Sequence, residues 1–256
     1  MRSLFYVGMA VCYTRMNTAK EGLPLLYMLP DIAIRYLTPQ FYQLSKSTFV
    51  KGMQCQKYLY LNKHKPKERT PHDAATLERF REGRDFEFLF KNRFSPAIDI
   101  PTVLGNDMYT MGASYTKAVL EQEPAVTIFE ACFISGKTLV MTDVLVKEGG
   151  AYTIYEVKNS EQLKPVFIWD LSLQYYICSS ALQSPLTFNI VLNDGRDGYK
   201  IIDLTEELKN NCAVMEEKVA AFQQLLQQPD VPVIKMGTQC EQPYACEFKA
   251  YCSRTS

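Results

Sequence analysis

The sequence predicts an α/β fold in which a central β-sheet is flanked by helices. Two observations carry this. Residues 126–158 form three consecutive segments rich in β-branched and aromatic residues: VTIFEACFI, KTLVMTDVLV and AYTIYEVK, separated by Ser-Gly and Gly-Gly turn signals. Segments of helical character stand on both sides of them. The composition agrees: 47% hydrophobic and 22% charged residues over 256 positions are enough to bury one large core without disulfides. No apolar run is long enough to span a bilayer, so a membrane role is not expected.

Taken in order, residues 1–43 read as an N-terminal extension of no assigned role. The apolar stretch Leu4–Tyr13 lacks a small-x-small cleavage site and runs into Arg15 and Lys20, so export is not expected and the cytoplasm is. The domain proper is placed at residues 44–256. Ser47 is the expected N-cap of one helix running through Leu61, with Cys55 on its exposed side. A basic loop follows, Lys63 to Arg69 (KHKPKER), broken by Pro66. A second helix is expected from about Asp73 into Phe90, burying Phe80, Phe86 and Phe90. Beyond the β-meander, Phe167–Leu182 reads as a helix, Leu186–Leu192 as a strand, and Glu206–Gln228 as one long helix.

Charge and residue counts narrow the chemistry. Lys+Arg and Asp+Glu are equal at 28, but residues 46–93 hold 12 basic against 6 acidic residues, while residues 203–230 hold 2 against 6. The zero net charge therefore conceals a local basic region suited to phosphates, with Lys57, Lys63, Lys65, Lys67 and Arg69 as candidate nucleic-acid contacts. Only His64 and His72 are present, which argues against a His-dependent triad or a His-rich metal centre.

Turn geometry isolates a carboxylate pair. With Gly149-Gly150 as a two-residue hairpin loop, Glu148 pairs with Ala151 and Asp143 falls opposite Glu156. Directly opposed residues share a face, roughly 4.5–5.5 Å apart at Cβ, so the two acids repel unless a cation or a shared proton intervenes. Lys158, two residues beyond Glu156, points the same way. Hard oxygen ligands of this kind suit Mg²⁺ or Mn²⁺, with the Val157 carbonyl as a further ligand and Lys158 placed to orient or deprotonate the attacking water. A Ser135-Gly136 loop would put Glu130 opposite Met141, diagonal to Asp143 on that face. An ordinary charged surface hairpin is the competing explanation, weakened by the apolar setting of Asp143.

Three cysteines lie in the tail, Cys240-EQPYA-Cys246-EFKAY-Cys252, and Cys55 in its polar setting is the best fourth. Cys132, Cys178 and Cys212 sit in apolar patterns and read as core. Four thiolates suit either Zn²⁺ or an iron–sulfur cluster, and the spacing does not choose between them.

These segments together resemble RecB-type nucleases of the PD-(D/E)XK superfamily. The similarity lies in the iron–sulfur branch shared with CRISPR-associated RecB-like exonucleases and the AddB nuclease, and is closer still to the nuclease half of a bacterial family with this layout. The resemblance is carried by LSKSTFVKGMQCQKYLYL (residues 44–61), TDVLVKEGGAYTIYEVKNS (142–160), DLSLQYY (170–176) and the cysteine tail. It implies a restriction-endonuclease-like core with a mixed sheet, its ends joined by a [4Fe-4S] cluster on Cys55, Cys240, Cys246 and Cys252. It also implies metal binding by Asp143 and Glu156, Lys158 as the lysine of the D…ExK signature, and Gln174 as the glutamine of a QxxxY motif. The implied activity is Mg²⁺- or Mn²⁺-dependent cleavage of DNA, as an exonuclease on single-stranded or end-bearing substrate, with a helicase as a possible partner. Departures are Cys178 where the motif has Tyr, Gln56 where a Pro often follows the first cysteine, and Glu87 where a His ligand often stands. Two other readings are a catalytically weak binding or docking module and a structural Cys₄ zinc protein.

Overall fold

A computed structural model describes residues 32, 34, 37–196 and 198–255. The strands are β1 (Leu44–Ser45), β2 (Ile98–Asp99), β3 (Val126–Ser135), β4 (Thr138–Glu148), β5 (Ala151–Lys158), β6 (Leu186–Asn193) and β7 (Tyr199–Asp203). They form one mixed sheet in the order β2-β3-β4-β5-β6-β7, with β1 alongside β4. The meander β3-β4-β5 is antiparallel, as the turn signals predict, whereas β5 and β6 are parallel. A parallel neighbour requires a crossover. Helix α6 (Pro165–Leu182) supplies it.

The remaining helices are α1 (Lys46–Gln54), α2 (Gln56–His64), α3 (Ala74–Lys91), α4 (Ile100–Leu104), α5 (Met108–Gln122), α7 (Thr205–Asn210), α8 (Cys212–Leu225) and α9 (Lys249–Thr255). Both faces of the sheet are covered, and strand alternation sorts the residues. Ile128, Leu145 and Ile154 join the main core with Tyr115 and Val119 of α5 and Leu171 of α6. Phe129, Val144, Val157 and Val191 meet Phe86 and Phe90 of α3 on the other side. Burial on both faces explains why these strands read as nearly unbroken apolar runs.

Several sequence expectations need correction. The helix placed over residues 47–61 is two helices, because Cys55 is extended (φ −164°, ψ 123°) between α1 and α2. Its N-cap is Ser45, not Ser47. Ser45 and Thr48 form a capping box in which each side chain satisfies the other's backbone N–H, two donors met at once. The helix over residues 206–228 likewise breaks at Asn211, whose amide turns aside to Ser172. Phe80 is 47% exposed rather than core, because α3 touches the sheet only through its C-terminal half. The β3–β4 loop is Gly136-Lys137, both at positive φ as a type I′ turn requires, so Ser135 pairs with Thr138. This register sets Ile134 against Leu139 and Phe133 against Val140, apolar on apolar.

Residues 37–43 are tied to the domain: the Gln40 N–H donates to Thr110 O, and the Gln43 N–H to Lys137 O. Most of the proposed extension, with Cys12, lies outside the described residues. No helix among the described residues is long and apolar enough to cross a membrane.

Candidate active site

The β4–β5 register is as expected, with Glu148 paired to Ala151 and Val144 to Tyr155. One step further the ladder gives way to side chains: the Val157 N–H donates to Asp143 Oδ2 at 2.6 Å. The corrected β3–β4 register brings Glu130, between Phe129↔Val144 and Ala131↔Thr142, to the level of Asp143 rather than diagonal to it. Glu130 is held at φ 52°, a left-handed conformation that a non-glycine residue adopts at a cost of order 1–3 kcal/mol. Glu87 reaches in from α3. Ligand oxygens of Glu87, Glu130 and Asp143 lie within 4.8 Å of one another, a group able to hold a divalent metal ion.

Glu156 is 1% exposed and sits among cations. Its Oε1 accepts from Lys158 Nζ at 2.7 Å and from Lys46 Nζ at 2.9 Å, while Oε2 has no partner among the described residues. Lys158 also donates to Asp170 Oδ2 at 2.7 Å. Lys91, one turn beyond Glu87 on α3, pairs with Glu87 at 2.5 Å and Glu130 at 2.7 Å. Gln174 is fully buried on α6, and neither atom of its amide has a partner among the described residues.

Five carboxylates (Glu87, Glu130, Asp143, Glu156, Asp170) thus face three ammonium groups (Lys46, Lys91, Lys158), a deficit of two positive charges. The electrostatics divides the acids. Burial pushes the Asp143 carboxyl well up, and the Glu156 charge adds to it. Burial also raises Glu130 against the pull of Lys91. Burial acts on Glu156 the same way, but Lys158 and Lys46 overcome it and hold that carboxyl at about 2. Burial tends to discharge Lys158, yet Asp170 and Glu156 prevail and keep it protonated. A carboxylate pair with one member raised and the other depressed is the pattern of a site that takes up protons when it lacks a cation.

Lys46, Lys91 and Asp170 were not singled out from the sequence. Two carried a readable signal: Lys91 stands four residues after Glu87, and Asp170 four before Gln174, each on the same helix face as its neighbour. Lys46 carried none, since its contact with Glu156 spans 110 positions.

Cys55, Cys240, Cys246 and Cys252 line one small cavity with Lys57, Tyr58, Leu61 and Phe248. Burial pushes the Cys246 thiol up to about 11, with Cys240, Cys252 and Cys55 contributing as neighbours. Among the described residues no set of three cysteine sulfurs is gathered within 4.8 Å as the acidic group is. Cys132 and Cys178 are core residues, and Cys212 is partly buried. Of the candidate DNA contacts, Lys63, Lys65 and Lys67 are exposed and Arg69 pairs with Glu247. Lys57 is only 9% exposed, turned into the cysteine cavity, which removes it from an outward phosphate-binding role.

No protein-family model matches the chain, and no curated protein matches it. Among solved structures it is distantly similar to LHK-Exo in complex with dAMP, at 14% identity, covering 72% of this chain and 88% of that one with a TM-score of 0.41. It is also similar to SSO0001, at 12% identity, covering 83% and 86% with a TM-score of 0.32.

Proposed function

We propose that the chain is a divalent-metal-dependent nuclease of the PD-(D/E)XK type, with a restriction-endonuclease-like core, that hydrolyses phosphodiesters in DNA, as an exonuclease on single-stranded or end-bearing substrate. One observation carries this reading: a partly buried group of five acids and three lysines whose charge deficit equals one divalent ion. The donors suit Mg²⁺ or Mn²⁺, being oxygen only and few. Asp143 and the unpartnered Oε2 of Glu156 would hold the ion, with Glu130, Glu87 and the Val157 carbonyl as further donors.

A divalent ion held there supplies Lewis acidity toward a phosphodiester and its attacking water. The chain's own groups do the rest. Lys158, held between Asp170 and Glu156, would act as a hydrogen-bond donor and a positive charge facing the phosphate. The buried amide of Gln174, with no partner of its own, is free to hold the substrate strand or Lys158. Lys63, Lys65, Lys67 and Arg69 offer exposed positive charge for the backbone.

The same reading includes a [4Fe-4S] cluster on Cys55, Cys240, Cys246 and Cys252. The support is their convergence on one cavity at the junction of α1, α2 and the tail. Zn²⁺ in the same four thiolates is the other candidate. A helicase remains the proposed partner.

Purified protein should degrade labelled single-stranded DNA with Mg²⁺ or Mn²⁺, and EDTA should stop it. Asp143→Ala and Lys158→Ala should each lower the rate by about 100-fold or more while folding and metal content of the cysteine site are kept. Full activity in either variant would sink the reading. Iron analysis after anaerobic purification separates the two cysteine-site metals, with about four irons expected for the cluster.

A further inference from the structure

We infer that Lys46 is a positioning residue of this site: it holds Glu156 so that Oε1 is occupied and Oε2 is left free for the divalent ion. The inference rests on the nuclease reading and extends it to a residue outside the D…ExK signature.

The placement is built in three steps. Strand β1 pairs in parallel with β4, Leu44 with Thr138 and Ser45 with Leu139, which fixes the chain entering α1. The Ser45/Thr48 capping box then sets the first turn of α1, so Lys46, the first helical residue, leaves the backbone at a defined point. Its side chain, 26% exposed, reaches along β4 and donates to Met141 O at 3.2 Å and to Glu156 Oε1 at 2.9 Å. The Met141 carbonyl anchors the ammonium from β4, two residues from Asp143, and Glu156 answers it from β5. Lys46 therefore bridges the two strands that carry the candidate ligands.

Two lysines donate to one carboxylate oxygen, and they are not equivalent. Lys158 is shared at 2.7 Å with Asp170, so its charge is divided between two carboxylates. Lys46 makes no other ion pair among the described residues, so its charge is committed to Glu156. The two effects of Lys46 on the metal oppose each other. It orients Glu156, which aids the reaction, and it adds positive charge near the ion, which weakens the ion's binding. A lysine present only to stabilise the fold would share the second effect but not the first, so turnover is the readout that separates the two.

The test uses the full chain with Lys46→Met and Lys46→Arg, each checked by its melting temperature and iron content. Mn²⁺ binding is followed by calorimetric titration without DNA, and turnover and KM are measured on a labelled single-stranded oligonucleotide. Lys46→Met should bind Mn²⁺ several-fold more tightly, while kcat falls by about 10–100-fold, the usual loss when a group orienting a ligand is removed. KM should hardly move. Lys46→Arg keeps the charge and a donor, so it should recover most of the turnover and the parent Mn²⁺ affinity. Unchanged kcat in Lys46→Met overturns the inference, as does Mn²⁺ affinity that is unchanged or weaker. A rise in KM alone also overturns it, since that would make Lys46 a contact to DNA. If the parent protein cleaves no DNA with any divalent ion, the nuclease reading fails separately, and an Mn²⁺ affinity that Lys46→Met leaves unchanged still overturns the placement of Lys46 at the ion.

Discussion

At Asp143 the backbone and the charge balance pull against each other. The carboxylate accepts the Val157 N–H, which favours its charged form, but burial and Glu156 push its pKa well up. An acid whose folded pKa is raised binds more protons folded than unfolded, so stability falls as pH rises from about 4 through the folded value. Glu156 has the opposite sign. Held at about 2, it contributes stability above its ordinary range that is lost as pH falls from about 4.5 toward 2. In EDTA, urea denaturation of the parent should show a metal-free protein that weakens on going from pH 5 to pH 8. Asp143→Asn keeps an oxygen for the Val157 N–H and removes the buried charge. It should therefore flatten that slope and equal or exceed the parent in stability at pH 8, while abolishing cleavage. A steeper slope in the variant would contradict the placement of Asp143. At this scale the proximity of Asp143, Glu156 and Lys158 was legible because a two-residue turn dictates which residues oppose each other. The lysines that balance them were not, because Lys46 and Lys91 join the site only after the helices dock.

Helix α1 is the element on which most of the site's geometry converges. It begins at the capping box, carries Lys46 to Glu156 and Lys51 to Glu247, and ends at Cys55 on the cysteine cavity. Its middle is locked to α8 at Gly52, where an added Cβ would come within 2.7 Å of the Phe222 ring. Ser45→Ala removes the half made by the Ser45 hydroxyl and leaves the half in which Thr48 Oγ1 accepts the backbone N–H of residue 45. The expected cost is about 1 kcal/mol, read as a lower urea midpoint with unchanged m-value, and Ser45→Asp should restore most of it. Helix α3 shows how an element's existence can be legible while its role is not. It begins where the sequence places it, and Asp73 caps it by accepting the Thr76 N–H. Its apolar residues nevertheless divide: Phe86 and Phe90 are buried, and Leu77, Phe80, Phe88 and Leu89 are exposed. Periodicity registers where apolar side chains fall around a helix, not how far along its length another surface reaches.

On the scale of the molecule, the tail is fastened to the N-terminal helices by Glu247. This residue, between Cys246 and Phe248, is 7% exposed and meets Lys51 at 2.8 Å, the Tyr58 hydroxyl, Arg69 and His72. Gln54 adds bonds to the carbonyls of Gln239 and Tyr244, and Arg254 pairs with Glu68. Glu247→Ala removes the acceptor of the Tyr58 hydroxyl and one of the two acceptors of the half-buried Lys51, which keeps Asn62, an expected cost of roughly 2 kcal/mol. Limited trypsin digestion should then cut near Lys235 faster than in the parent. An unchanged digestion pattern would show that the cysteine site alone holds the tail. The four cysteines come from positions 55 and 240–252, and it is this junction that brings them to one cavity.

The sequence by itself determined the α/β class, the three-stranded meander, the Asp143–Glu156–Lys158 face and the four cysteines worth watching. All of these follow from local rules, namely alternation, turn chemistry and short spacing. Only the tertiary structure decided that Glu130 stands level with Asp143, that Cys55 interrupts a helix, that Lys57 turns inward, and that three lysines meet five acids. Those facts depend on contacts spanning up to about 200 positions, where the energy of burying opposite charges together is realised only once the sheet and helices have closed around them.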